Sequence, residues 1–203
     1  MIDVLMEIML RKSAALCRTW LSAGLQATVS VNLSPQSLGD VHLADRVTQL
    51  VLDQGLEPRH MVLEVTESVA TTNVGRALEN LARLRMKGFG LSIDDYGTGY
   101  ASMQQLTRIA FTELKIDQSF VSNAAKQASA RVVLESSLDI AKKLNITAVA
   151  EGVETQADWN LLRQLGCALA QGYFIARPME AGVYLDWARG WKPPDLQGTV
   201  SPS

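Results

Sequence analysis

An alternation constrains this chain more than anything else in it. Short apolar, β-branched runs are each followed by a stretch with helical spacing, and the order repeats six times. The runs at 28–34, 61–65, 89–93, 112–116, 146–150 and 168–175 read as strands. Helical spacing predicts helices over the first 24 residues and over about 38–52, 74–87, 103–109, 129–144 and 159–165, several of them closing at glycines such as Gly24, Gly55 and Gly88. Strand-then-helix in series is the order of a parallel sheet, because parallel neighbours need a crossover connection. The fold class is therefore α/β. The 203 residues suit one domain and fall short of the roughly 250 of a complete eight-fold β/α barrel. Residues 1–190 read as that domain, and 191–203, rich in proline and without periodicity, read as a flexible tail.

Each predicted strand ends on a polar group. Asn32 closes the first, and Glu64 sits near the end of the second, with Glu67 three positions on. Asp94 and Asp95 close the third, Lys115 and Asp117 the fourth, and Glu151 the fifth; Gln171 lies within the sixth. In a β/α barrel, parallel strands deliver their C-terminal ends to one face, so residues spread from 32 to 171 would converge there. Their types restrict the chemistry. Asn, Glu and paired Asp are hard oxygen ligands, suited to Mg²⁺ or Mn²⁺ rather than to thiol-seeking metals. Consecutive aspartates cannot both point inward from a regular strand. A chain leaving the strand at Asp94 lets both reach a two-metal centre, with ions roughly 3.5–4 Å apart. Such a centre suits in-line attack on a phosphodiester. Lys115 is then placed to neutralise developing charge or hold the attacking water, and Glu151 to ligate metal or accept a proton.

Other classes are excluded or weakly signalled. Lys and Arg number 19 against 21 Asp and Glu, so no bulk positive field points to a nucleic-acid polymer as partner. Cys17 and Cys167 are too few for a disulfide framework and read as buried free thiols in a reducing compartment. No apolar run approaches a membrane span, and Asp3 and Glu7 stand where a secretory leader would be basic, so a cytoplasmic location is expected. Gly97-Thr-Gly-Tyr100 is a flexible loop but not a P-loop, since no Lys-Ser/Thr follows it. His42 and His60 lack ligand partners at metal spacing and read as surface residues.

Six segments in order carry a family resemblance: Val29-Ser-Val-Asn-Leu-Ser-Pro35, Leu63-Glu-Val-Thr-Glu-Ser68, Asp94-Asp-Tyr-Gly-Thr-Gly-Tyr100, Leu114-Lys-Ile-Asp-Gln-Ser-Phe-Val121, Val149-Ala-Glu-Gly-Val-Glu-Thr155 and Gln171-Gly-Tyr173. Together, from about residue 1 to Pro178, they resemble the bacterial EAL domain family of cyclic-di-GMP phosphodiesterases. The resemblance implies a modified (β/α)8 barrel that hydrolyses cyclic di-GMP to linear pGpG with Mg²⁺ or Mn²⁺, as two ions, in second-messenger signalling. It implies metal ligation by Asn32, Glu64, Asp94 and Asp95, and catalytic roles for Lys115 and Glu151. It further implies substrate contacts by Gln171 and Pro178, and a loop anchor at Glu67. A homodimer and a preceding receiver or GGDEF-type domain are the expected partners.

The departures from the family pattern matter as much. The Glu-Ala-Leu segment, whose glutamate is a metal ligand in the family, does not occur in this sequence, and the first strands are expected to be missing, leaving about six βα units. A barrel of six strands would have two open edges. Tyr96, Ala101 and Gln118 replace the usual phenylalanine, serine and arginine. The absent glutamate motivates an alternative reading, a catalytically impaired receptor for cyclic di-GMP or a regulatory module. A third is an interaction domain that dimerises through the loop region over 95–103.

Overall fold

The computed structural model describes residues 2–66, 74–98 and 103–194. Helix α1 (Ile2–Ser22) leads into strand β1 (Val29–Asn32), followed by α2 (Leu43–Asp53), β2 (Met61–Thr66), α3 (Val74–Met86) and β3 (Gly90–Tyr96). Then come α4 (Met103–Arg108), β4 (Glu113–Ile116), α5 (Gln118–Asn123), α6 (Ala128–Leu144), β5 (Thr147–Ala150), α7 (Gln156–Gln164), β6 (Leu169–Ala170) and α8 (Ala181–Gly190). All six strands pair in parallel, in sequence order, and curl into a half-barrel. Among the described residues, β1 and β6 each have a neighbour on one side only.

The two faces of the sheet differ in kind. Val31, Leu63, Val65, Leu91, Ile93, Leu114, Ile116, Ala148 and Ala150 are buried in the hydrophobic core. The alternate positions include Asn32, Glu64, Ser92, Asp94, Glu113 and Lys115 beside Val62 and Val149, so the other face is mostly polar. Helix spacing matches the apolar face. In α2 the buried residues are Leu43, Ala44, Val47, Leu50 and Val51, and in α6 they include Ala130, Leu134 and Ala141. Burial of each of the leucine and valine side chains contributes about 1.5–3 kcal/mol.

Several elements differ from their expected form. The sixth strand is two residues long; after it Ile175 N–H and Ala176 N–H donate to Gly172 O, at 3.0 and 3.1 Å, and turn the chain. Helix α7 begins three residues earlier than periodicity placed it, because Thr155 and Asp158 form a reciprocal capping box. Helices α5 and α8 were not expected. Beyond α8, Trp191 packs edge-on to Trp159, and Trp159 Nε1 donates to Pro194 O at 3.3 Å.

Candidate active site

The Asp94–Asp95 pair owes its geometry to a one-residue slip. Strand β3 pairs with β4 as Ser92↔Glu113 and Ile93↔Leu114, then as Tyr96↔Ile116. One residue too many lies on β3, which is a β-bulge. Asp95 takes it up in the left-handed region, with φ of 56°. The chain does not leave the strand at Asp94, as expected, but runs on to Tyr96 through this bulge. The consequence anticipated from a strand end, both carboxylates at one site, arises from the bulge instead.

Lys115 is the hub of the site. Its Nζ lies 3.1 Å from Glu64 Oε1, 2.9 Å from Asp94 Oδ1 and 2.8 Å from Glu151 Oε1. Lys115 is 6% exposed and Glu64 7%, so these contacts are sheltered from water. Three carboxylates meet one ammonium, leaving a surplus of two negative charges. Burial works to lower the Lys115 pKa; hydrogen bonds to Glu151 and Asp94 and the charges of Glu64 and Glu151 outweigh it and hold it above the ordinary lysine value. The Glu151 pKa is also raised, which a simple ion pair would not do. Its burial comes first; Lys115 opposes that shift, and Asp94 and Glu64 add to it. One ammonium divided among three carboxylates does not offset the burial of Glu151. Asp95 is raised for the same reasons: burial, then the neighbouring charges of Asp94 and Asp117.

Backbone bonds carry the sheet past its strand ends and hold the remaining groups in place. Leu33 N–H donates to Glu64 O at 2.8 Å, which seats Asn32 beside Glu64, its register partner. Glu151 N–H donates to Ile116 O at 3.1 Å, and Gln171 N–H to Ala150 O at 2.8 Å. Asn32 is exposed. Gln171 follows β6 rather than lying within it, and lines a cavity of about 340 Å³ with Asp95, Asp117, Glu151, Glu154 and Tyr173. Pro178 lines a neighbouring cavity of about 520 Å³, with Arg177, Tyr184 and Trp187; Gln171 and Tyr173 border both cavities. Glu67 lies outside the described residues, as do Gly99 to Ser102 of the glycine loop.

Two acids at the site, Glu154 and Glu113, escaped sequence reasoning, and a third, Asp117, was read only as a strand end. Asp117 and Glu154 line the first cavity. Glu113, two positions before Lys115, lies half-buried on the same face of β4, its pKa raised by burial and by Glu64 against the pull of Lys115. Strand alternation is the signal that would have found Glu113.

The donor set fits a hard cation. Carboxylate oxygens of Asp94, Asp95 and Glu151 lie within 4.8 Å of one another, Glu64 shares their lysine, and all the donors are oxygen. The surplus negative charge is what a divalent ion would balance.

The EAL domain model matches residues 1–178. The chain belongs to the EAL domain family. It is 39% identical over 176 residues to the bifunctional diguanylate cyclase/cyclic di-GMP phosphodiesterase MucR of Pseudomonas aeruginosa, a match covering 86% of this chain and 26% of MucR. It spans between a quarter and a half of the length of the first curated relatives it matches. Among solved structures, the PaMucR phosphodiesterase in complex with c-di-GMP superposes with a TM-score of 0.85 at 38% identity, over 90% of this chain and 74% of that one. The Klebsiella pneumoniae BlrP1 manganese/cy-diGMP complex gives a TM-score of 0.75 at 30% identity, over 85% of this chain and 45% of that one. Among the described residues, no helix is long and apolar enough to cross a membrane.

Proposed function

We propose that this EAL domain hydrolyses cyclic di-GMP to linear pGpG with the help of Mg²⁺ or Mn²⁺. The observation that carries the reading is the cluster of buried Glu64 and half-buried Asp94 and Glu151 around Lys115, with Asp95 beside it, at the C-terminal ends of parallel strands. Its two surplus negative charges call for a cation, and the manganese complex of BlrP1 is a relative of the same fold. Asn32, Glu64, Asp94 and Asp95 would hold the ions. When bound, divalent cations supply Lewis-acid polarisation of the phosphodiester and of water.

The chain's own groups do the rest. Glu151 accepts the proton of the attacking water at a carboxylate oxygen, a role suited to a pKa above the ordinary glutamate range. Lys115 stays protonated at neutral pH and stabilises negative charge building on the phosphate. Gln171 borders both cavities and Pro178 the second, and in this reading they contact the dinucleotide there. A second copy of the chain is the expected partner.

The test is incubation of the purified chain with cyclic di-GMP and Mn²⁺, with chromatography for pGpG. Product from the wild type and none from Asp94→Ala is the expected result. No product from the wild type, or equal rates for both, overturns it. A second reading is a receptor that binds cyclic di-GMP without turning it over. Nucleotide binding in calorimetry without turnover would favour that reading.

A further inference from the structure

Two glycines sit next to the acids of the site, Gly97 two residues after Asp95 and Gly152 directly after Glu151. Both have positive φ, at 99° and 66°. Both also press on one short helix. A Cβ at Gly97 would stand 2.9 Å from Phe120 Cε2 and 3.2 Å from Val133 Cγ1. A Cβ at Gly152 would run into Cβ of Gln118 and stand 3.2 Å from its Cα. The bulged end of β3 that carries Asp95 and the loop that carries Glu151 are therefore seated against the first turn of α5, with no room to move inward.

Helix α5 is itself held firmly. It follows β4, the strand of Lys115, with Asp117 as its cap: Ser119 N–H donates to Asp117 Oδ1 at 2.9 Å. Val121 is buried, and Val133 of α6 closes on Gly97 from beside Phe120. The element that leaves the Lys115 strand thus touches both flanking loops.

We propose that Gln118 and Phe120 are positioning residues, whose stems set the spacing between Asp95 and Glu151 and so tune the affinity of the site for a divalent cation. The proposal rests on the metal reading above. At position 118 Cβ makes the closest approach to Gly152, with Cα and the amide Oε1 farther off at 3.2 and 3.3 Å, so the stem is the atom group that sets the contact. At position 120 it is the ring edge.

The test titrates Mn²⁺ into the full chain, reading free Mn²⁺ and the bound line shape by electron paramagnetic resonance. Gln118→Ile, which branches at Cβ, and Phe120→Ala, which removes the ring, are expected to weaken binding about tenfold and alter the line shape, the size of effect typical of residues that orient metal ligands. Gln118→Ala keeps the Cβ and is expected to bind within about twofold of wild type, well below that tenfold effect. Val47→Ala, in the core under α2, is expected to lower the thermal midpoint without changing Mn²⁺ affinity. Wild-type affinity in both Gln118→Ile and Phe120→Ala overturns the proposal, as does equal weakening by Val47→Ala. Equal weakening by Gln118→Ala and Gln118→Ile overturns the assignment to the stem. A wild type that binds no Mn²⁺ sinks the metal reading itself, an outcome distinct from the others.

Discussion

The Lys115 ammonium stands 2.8 Å from Glu151 Oε1, although the strand register sets Lys115 opposite Val149, two residues earlier. Lys115 thus leans along the sheet toward the strand ends, where it also meets Asp94. Replacing it with methionine leaves three sheltered carboxylates without their cation. Removing one partner of a buried ion pair costs about 3–5 kcal/mol. Lys115→Met is expected to lower the thermal midpoint sharply in chelator and to regain much of it with Mn²⁺. A midpoint insensitive to Mn²⁺ in the variant would count against a shared cation site.

The acids make an opposite demand on pH. Glu113, Glu151 and Asp95 all have folded pKa values above their ordinary ones. The folded state then holds their protons more tightly than the unfolded state does. That contribution is fully present below the ordinary carboxylate values and is lost as pH rises through the raised folded values. Lys115, also raised, keeps its contribution throughout this window, because its ordinary value lies far above it. The metal-free chain is therefore expected to be more stable near about pH 5 than near about pH 8, and Glu113→Gln is expected to raise the midpoint at the higher pH and flatten the slope. Thermal denaturation in chelator at both pH values checks this.

The strand order and the polar strand ends were legible because each rests on local pattern: β-branched runs, helical spacing, and an acid or amide where the run stops. The bulge was not. A one-residue slip between Ile93 and Tyr96 depends on how β3 meets β4, and nothing within β3 announces it. The run at 168–175 looked like one strand because it is apolar, yet pairing stops at Ala170 and the chain turns at Gly172. Periodicity cannot separate those outcomes in so short a run. The capping box at Thr155 and Asp158 was readable, and α5 carried a signal in Asp117 followed by Ser119. Which residues press on Gly97 and Gly152 is a tertiary matter, beyond any sequence window.

Asp95 is held at φ of 56°, a conformation that costs an ordinary residue about 1–2 kcal/mol and that Asn and Asp tolerate better. Asp95→Asn is expected to keep the bulge and the stability while weakening Mn²⁺ binding. Asp95→Val, β-branched, is expected to lose stability as well. Equal thermal midpoints for the two variants would remove the bulge as the reason for an aspartate here.

Asp158 is 5% exposed and accepts from the N–H groups of Thr155 and Glu154, at 3.0 and 3.4 Å, while Thr155 Oγ1 accepts from Asp158 N–H at 3.1 Å. These bonds fasten the segment between Glu151 and α7 at its far end, and Val153 N–H, donating to Gln171 O at 3.0 Å, fastens it in the middle. Thr155→Ala removes one half of the box and is expected to cost about 0.5–2 kcal/mol. Asp158→Ala strips both N–H groups of their acceptor and is expected to cost more, since two hydrogen bonds are lost in place of one, each typically about 0.5–1.5 kcal/mol. Because Glu151 is also tied to Ile116 by its own backbone, Mn²⁺ affinity is expected to fall less than stability does. Chemical denaturation set beside Mn²⁺ titration of the two variants separates these effects; affinity falling as steeply as stability would show that the cap, rather than the sheet, holds Glu151 in place.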